Sequence, residues 1–287
     1  MTLLVTGASG HLGRLVVESL LDRGTPASDI VAAARKPEAL AALAERGVEV
    51  RRADYDDPSS LDAAFAGVDR LLLVSSSEVG QRVAQHANVI EAAKRAGVGF
   101  VAYTSVTRAG TSDLALAAEH RATEELLAAS GLPHALLRNS WYLENYTGQL
   151  PTVQEHGAVL GAAGDGRVSA ATRADYAAAA ATVLAGDGHE GAVYELGADH
   201  AFSLAEYAAA VSRVTGQEVT YRDLSVEDYT AALVAAGLPE PYAALLADSD
   251  RGISAGALFT DTGDLSRLAG RPTTGVEDAV RAALVQV

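Results

Sequence analysis

The chain has 287 residues, 49% hydrophobic and 21% charged, and 37 acidic against 22 basic side chains leave a formal charge of −15. That composition describes a folded protein of one or two domains, and its negative charge repels phosphate backbones and anionic membranes, so neither nucleic acid nor membrane is an expected partner. No cysteine is present, which removes disulfides, thiolate metal ligands, iron–sulfur clusters and thiol catalysis together. Met1 to Thr6 carries no basic leader, and no apolar run reaches the ~18 residues of a membrane span, so a cytoplasmic protein is expected.

In chain order, the first half alternates strand and helix. Thr2–Thr6 is a short β-rich run ending in glycines; Leu12, Val16, Leu20 and Leu21 then recur at helical spacing. Ile30–Ala34, Val48–Arg52, Arg70–Val74, Val101–Ser105 and His134–Arg138 read as further strands, with helices after Pro37, after Pro58, over Val83–Ala96 and over Leu114–Ala129. Strands separated by helices require parallel crossovers, hence an α/β doubly wound parallel sheet. The glycine-rich stretch Gly157 to Gly166 reads as a loop or irregular hairpin, Arg173–Leu184 as a helix and Ala192–Leu196 as a strand. Beyond Ser203, where Ser203 and Glu206 form a capping box, the chain reads as mostly helical. The division expected is a dinucleotide-binding Rossmann domain over residues 1–150 and a small, mostly helical cap domain over residues 151–287, with one strand and helix returning to the sheet. Monomer and homodimer both remain open.

The strongest motif is the run Gly7, Ala8, Ser9, Gly10, His11, Leu12, Gly13, between the first strand and the first helix. Gly7 permits a tight turn, Gly10 close approach to a pyrophosphate and Gly13 close helix packing, while free N–H groups at the helix start receive phosphate. NAD sites place an acid at the end of the second strand; here Ala34 is followed by Arg35, which suits the 2′-phosphate of NADPH. The plain alternative makes Arg35 and Lys36 solvated charges. Ser75, Ser76 and Ser77 follow the fourth strand, as cofactor contacts, as a cap for the next helix, or both. Asp54 reads equally as an adenine neighbour and as a turn acid.

Lysine occurs only at Lys36 and Lys94, preceded four residues earlier by Ala32 and Ile90. The Tyr-x-x-x-Lys pair of ordinary short-chain dehydrogenases is therefore missing, and with it the proton donor that reduction of a ketone needs. His189-Glu190 lacks the second histidine of a zinc motif, because position 193 is Val; no metal is expected. His120, Glu119 and Glu124 read as an exposed helical face, Asp248 and Asp250 as a solvated turn, and Arg173 and Asp175 as helix-capping residues in preference to a pair that closes the pocket.

The glycine loop, Arg35, the stretch Leu72 to Arg82 and Tyr103-Thr104-Ser105 resemble the NmrA-like group of atypical short-chain dehydrogenase/reductases. Leu137 to Tyr146, Gly161 to Gly166, Ala171 to Ala177, Leu246 to Asp250 and Gly270 to Thr274 resemble, more specifically, the type 2 NADPH:quinone oxidoreductase family within it. The resemblance covers nearly the whole chain. It implies a Rossmann fold, NADPH, and two-electron reduction of quinones without flavin or metal. It places nucleotide contacts on Gly7 to Leu12, on Arg35, on Ser75 to Ser77 and on Asn139, Ser140, Trp141, Tyr142 and Glu144; Ser140 stands where a glycine is common.

Chemistry agrees with the missing acid. A quinone is a strong hydride acceptor, and its hydroquinone anion is far less basic than an alkoxide. The protein has only to orient the reactants and offer hydrogen bonds to the developing charge. Tyr142, Asn145 and Tyr146, just past the sixth strand, are the candidate donors, against the reading of Trp141, Tyr142 and Tyr146 as core or lid aromatics. Two other functions fit the same cofactor site: an NADP(H)-binding redox sensor of the NmrA-like type without turnover, and an isoflavone-reductase-like enzyme. The latter expects a lysine within positions 113–130, where none occurs.

Overall fold

The computed structural model describes residues 1–285. In chain order the first elements are β1 (Leu3–Val5), α1 (His11–Asp22), β2 (Ile30–Ala34), α2 (Ala41–Glu45), β3 (Glu49–Arg52), α3 (Pro58–Phe65), β4 (Arg70–Leu73), α4 (Arg82–Ala96), β5 (Phe100–Val106), α5 (Ala115–Ser130) and β6 (His134–Asn139). There follow α6 (Glu144–Thr147), α7 (Leu150–His156), β7 (Ala158–Gly161), α8 (Arg173–Ala185), β8 (Val193–Leu196), α9 (Leu204–Thr215), β9 (Thr220–Asp223), α10 (Val226–Ala235), α11 (Glu240–Ser254), α12 (Asp264–Ala269) and α13 (Val276–Val285).

Seven strands form one parallel sheet in the order β3-β2-β1-β4-β5-β6-β8. Residues of β1, β2, β4 and β5 are buried on both faces, because helices cover both. α1 and α8 pack with Leu3, Val5 and Leu72 on one face, and α3, α4 and α5 with Leu4, Leu71 and Tyr103 on the other. Ala177 to Ala181 in α8 are all buried; their small side chains let this helix lie close to the sheet, α1 and α12 at once. The strand order reverses at β1, where the chain runs outward first through β2 and then through β4. A crevice opens there beyond the strand ends, and the glycine loop lies in it.

The residues after β6 build a second core around Phe202, Tyr207, Val211 and Ile253. Ser203 caps α9 as expected: its Oγ accepts from Glu206 N at 3.2 Å, and Glu206 Oε2 accepts from Ser203 N at 2.9 Å. Beyond Ser203 the chain is mostly helical, as expected, with the short β9 inserted between α9 and α10. One expectation fails: the Gly157–Gly166 stretch is not simply a loop or hairpin but contains β7, which pairs in parallel with β9 as a separate small sheet. Each is only four residues long, too short to show a period of two against its surroundings. Among the described residues no helix is long and apolar enough to cross a membrane.

Candidate active site

A cleft of about 530 Å³ runs across the crevice from the glycine loop to the segment after β6. At one end, Gly7 holds φ +58°, a left-handed conformation that glycine adopts without strain. A Cβ on Gly13 would collide with the Gly7 carbonyl, and one on Gly10 would stand 3.2 Å from it. Only this spacing of glycines lets α1 start so close to the turn. Arg14 N bonds Gly10 O, so the N–H groups of His11, Leu12 and Gly13 precede the first intrahelical bond and remain free to meet an anion. Gly7, Ser9, Gly10, His11, Leu12 and Gly13 line the cleft. Ala8 does not: it is fully buried, and its N–H is spent on Ala33 O in β2.

Arg35 follows β2 and is largely exposed at the cleft edge, where its Nη1 meets Glu78 Oε1 at 2.6 Å. Asp54 lines the same end, with Arg52 as its ion-pair partner. Beside it stands Tyr55, which carried no distinguishing sequence signal. Its hydroxyl lies 2.8 Å from Val74 O and 2.6 Å from Thr6 Oγ1, tying the chain after β3 to the ends of β1 and β4.

Ser75, Ser76 and Ser77 line the middle of the cleft. They do not cap the following helix, whose N-cap is Gln81. Ser75 N donates to Thr104 Oγ1 at 2.8 Å and Ser76 N to His86 Nε2 at 3.0 Å, while Arg82 Nε donates to Ser76 O at 2.7 Å. These bonds fasten the loop backbone to Thr104 on β5 and to His86 and Arg82 on α4. Burial and the nearby Arg82 charge drop the His86 pKa to about 3, so this imidazole stays neutral and can accept from Ser76.

At the far end, Asn139, Ser140, Trp141, Tyr142 and Asn145 line the cleft. Ser140 Oγ donates to Leu258 O at 2.7 Å, which anchors the turn after β6 to the second core. Tyr142 is half-buried, with the Arg173 guanidinium 4.5 Å above its ring and Tyr176 against its edge at 5.4 Å. Burial raises its hydroxyl above the ordinary range, so it remains a protonated donor. Asn145 Oδ1 accepts from Arg173 Nη2 at 3.1 Å, leaving the amide nitrogen as a second donor. Glu144 is not a lining residue; its Oε1 accepts from Arg173 N at 2.8 Å and so fixes the start of α8. Tyr146 turns away from the cleft as well. Its hydroxyl is buried without a partner and its ring packs on Phe202 and Tyr207 in the second core.

Two further expectations are corrected outright and a third in part. His120, Glu119 and Glu124 are not an exposed face. His120 and Glu124 are buried, Glu124 clamps Arg138 and Ser105, and Glu119 pairs with Arg82 at 2.8 Å. Asp248 and Asp250 are not a solvated turn but lie on α11: Asp248 Oδ2 accepts from Ala115 N at 2.9 Å, and buried Asp250 accepts from Ala162 N at 2.8 Å. Burial raises the Asp250 pKa to about 6. Arg173 faces the cleft, whereas Asp175 does take part in the cap of α8: Thr172 Oγ1 donates to Asp175 Oδ2 at 2.7 Å and accepts from Asp175 N at 3.2 Å, and Arg271 seals the carboxylate at 2.6 Å. Finally, α11 itself supplies Tyr242 and Leu245 to the cleft wall. They lie far beyond Arg173, the preceding lining residue in sequence, and no local pattern marks them.

The NmrA-like family model matches residues 1–261. Quinone oxidoreductase 2 of Escherichia coli is 54% identical over 276 residues, spanning 96% of this chain and 96% of that protein. The crystal structure of the NADPH-dependent quinone oxidoreductase of Escherichia coli complexed with NADPH superposes with a TM-score of 0.95 at 53% identity, covering 98% of this chain and 99% of that one. The Citrobacter sp. triphenylmethane reductase complexed with NADP(H) is 40% identical, with a TM-score of 0.93 over 98% of this chain and 99% of that one. With these likenesses running the length of the sheet and the cleft, the chain belongs to the NmrA-like family.

Proposed function

We propose that this protein is an NADPH-dependent quinone oxidoreductase, reducing small-molecule quinones to hydroquinones in the cytoplasm without flavin or metal. The observation that carries the reading is the composition of one cleft. A dinucleotide cradle and Arg35 occupy one end, neutral donors occupy the other, and no Tyr-x-x-x-Lys acid lies between them. The relatives named above support the choice of cofactor and acceptor.

The cradle fits NADPH on its own geometry. The free N–H groups of His11, Leu12 and Gly13 and the positive end of α1 suit the pyrophosphate. Arg35 suits the 2′-phosphate, for which it would exchange Glu78. Bound there, NADPH supplies the hydride. Tyr142 and Asn145 then offer hydrogen bonds to an acceptor oxygen as it gains charge. Arg173 holds both of them: its guanidinium covers the Tyr142 ring and donates to Asn145. Trp141 and Leu245 supply apolar surface that excludes water.

The test is oxidation of NADPH and of NADH by the purified protein with benzoquinone, menadione and a plain ketone. The reading expects turnover with both quinones, preference for NADPH, and none with the ketone. Tight NADPH binding without quinone-dependent oxidation would instead favour a redox sensor.

A further inference from the structure

Two buried histidines stand beside the cleft, and their hydrogen bonds differ in kind. His86 is fully used. Its Nε2 accepts from Ser76 N, so its proton is on Nδ1 and is donated to Thr123 Oγ1 at 2.9 Å; Thr123 in turn donates to Glu119 O. His120 is half used. Its Nδ1 lies 2.7 Å from the Tyr103 hydroxyl, and Nε2 has no protein partner among the described residues. The buried unpartnered side-chain atoms are Gln85 Oε1, Glu144 Oε2, Tyr146 OH and Tyr207 OH. His120 Nε2 is not among them, and His120 is a lining residue of the cleft.

Tyr103 decides the tautomer. The residue is fully buried on β5; its hydroxyl lies 2.7 Å from His120 Nδ1, and the other side chain beside it is the Thr123 hydroxyl, which already accepts from His86 and donates to Glu119 O. Were His120 to donate from Nδ1, the buried Tyr103 proton would have only that already engaged hydroxyl to turn to. The hydroxyl therefore donates to Nδ1, and the imidazole carries its own proton on Nε2. Ser105, which shares this wall, offers no rival donor, because its hydroxyl is given to Glu124 Oε1 at 2.6 Å. The groups around the ring are Arg82, Glu119, Glu124, His86 and Tyr103. Burial first, then the charge of Arg82, holds His120 well below the usual histidine range, so it stays neutral.

We infer that His120 is a catalytic residue, its Nε2–H donating a hydrogen bond to the quinone oxygen that becomes the hydroquinone anion, and that Tyr103 is the positioning residue that aims this donor. The inference rests on the quinone-reductase reading. As the quinone takes up a hydride, the carbonyl π pair becomes a lone pair on oxygen. His120 stabilises that charge without giving up its proton, and water supplies the proton that completes the hydroquinone. A neutral imidazole suits the task, since it donates at every pH where the enzyme is folded.

The experiment combines kinetics with nitrogen-15 NMR of histidine-labelled protein. His120→Leu is expected to lower kcat about 10- to 100-fold with the NADPH dissociation constant unchanged, and to lose most on the weakest acceptor quinone. His120→Gln, which keeps an N–H near the same place, should recover most of kcat. NMR should show His120 as the neutral Nε2–H tautomer from pH 5.5 to 9 in the wild type and as a tautomer mixture in Tyr103→Phe. An unchanged kcat in His120→Leu, an equal loss across all quinones, or an Nδ1–H tautomer in the wild type would overturn the assignment. Should His120→Leu not fold, His120→Gln and the wild-type NMR decide. A wild type that reduces no quinone removes the underlying reading and this role with it, whereas quinone turnover unaffected at position 120 removes this role alone.

Discussion

On the proposed function, the Arg35–Glu78 pair is where single side chains would set cofactor choice. Both partners are substantially exposed, so the pair itself adds little to folding stability. Its importance is competitive, because a 2′-phosphate must take the guanidinium from Glu78. Arg35→Ala should weaken NADPH binding about 10- to 100-fold and leave NADH binding nearly unchanged. Glu78→Ala should tighten NADPH several-fold. Fluorescence titration with both nucleotides checks each, and equal weakening of both by Arg35→Ala would contradict the assignment. Tyr142→Phe should reduce turnover about tenfold without altering NADPH affinity, because it removes a donor to the acceptor and not to the nucleotide. At this scale the glycine loop and Arg35 were legible, since their chemistry is written in adjacent residues. Tyr55 and Arg173 show why the rest was not. Each works through a partner far away in sequence, Tyr55 on Thr6 and Val74, Arg173 on Tyr142 and Asn145.

Among the elements, α11 joins the two cores to the cleft. Asp248 caps α5, Asp250 holds the loop after β7, and Tyr242 and Leu245 line the cleft. Asp250 makes this attachment pH-dependent. Its pKa is raised from 3.8 to about 6 by burial, so the folded protein holds a proton that the unfolded chain releases. The stabilisation is full below pH ~4 and is lost as pH rises through ~6, by up to about 3 kcal/mol. Thermal melts from pH 4 to 7 should show wild-type stability falling relative to Asp250→Asn; parallel curves would contradict this. Ser203→Ala, which deletes the capping box of α9, should cost about 1 kcal/mol at any of these pH values. Acidic runs read locally as solvent-facing, whether as the exposed helical face expected around Glu124 or the solvated turn expected at Asp250. Glu124 and Asp250 face instead the Arg138 guanidinium and the Ala162 N–H, partners that only the tertiary fold supplies.

Across the whole molecule, alternating strands and helices in the first half determine a parallel sheet, and the reversal of strand order at β1 determines where its crevice lies. That much follows from local periodicity and the handedness of crossovers. How the later segments return was less legible, because β7 and β9 are short and α8 is buried nearly all round by alanines that carry no amphipathic period. Around the acceptor end of the resulting cleft, none of His86, His120 and Tyr142 is poised to act as an acid near neutral pH. His86 and His120 are held neutral, and Tyr142 stays protonated. Single-turnover NADPH oxidation by benzoquinone, followed from pH 6 to 9, measures this most directly. The account predicts one NADPH consumed per hydroquinone formed, at a rate that varies less than about threefold across the range. A rate falling tenfold per pH unit above a pKa near 7 would reveal a side-chain acid in the hydride-transfer step and contradict it.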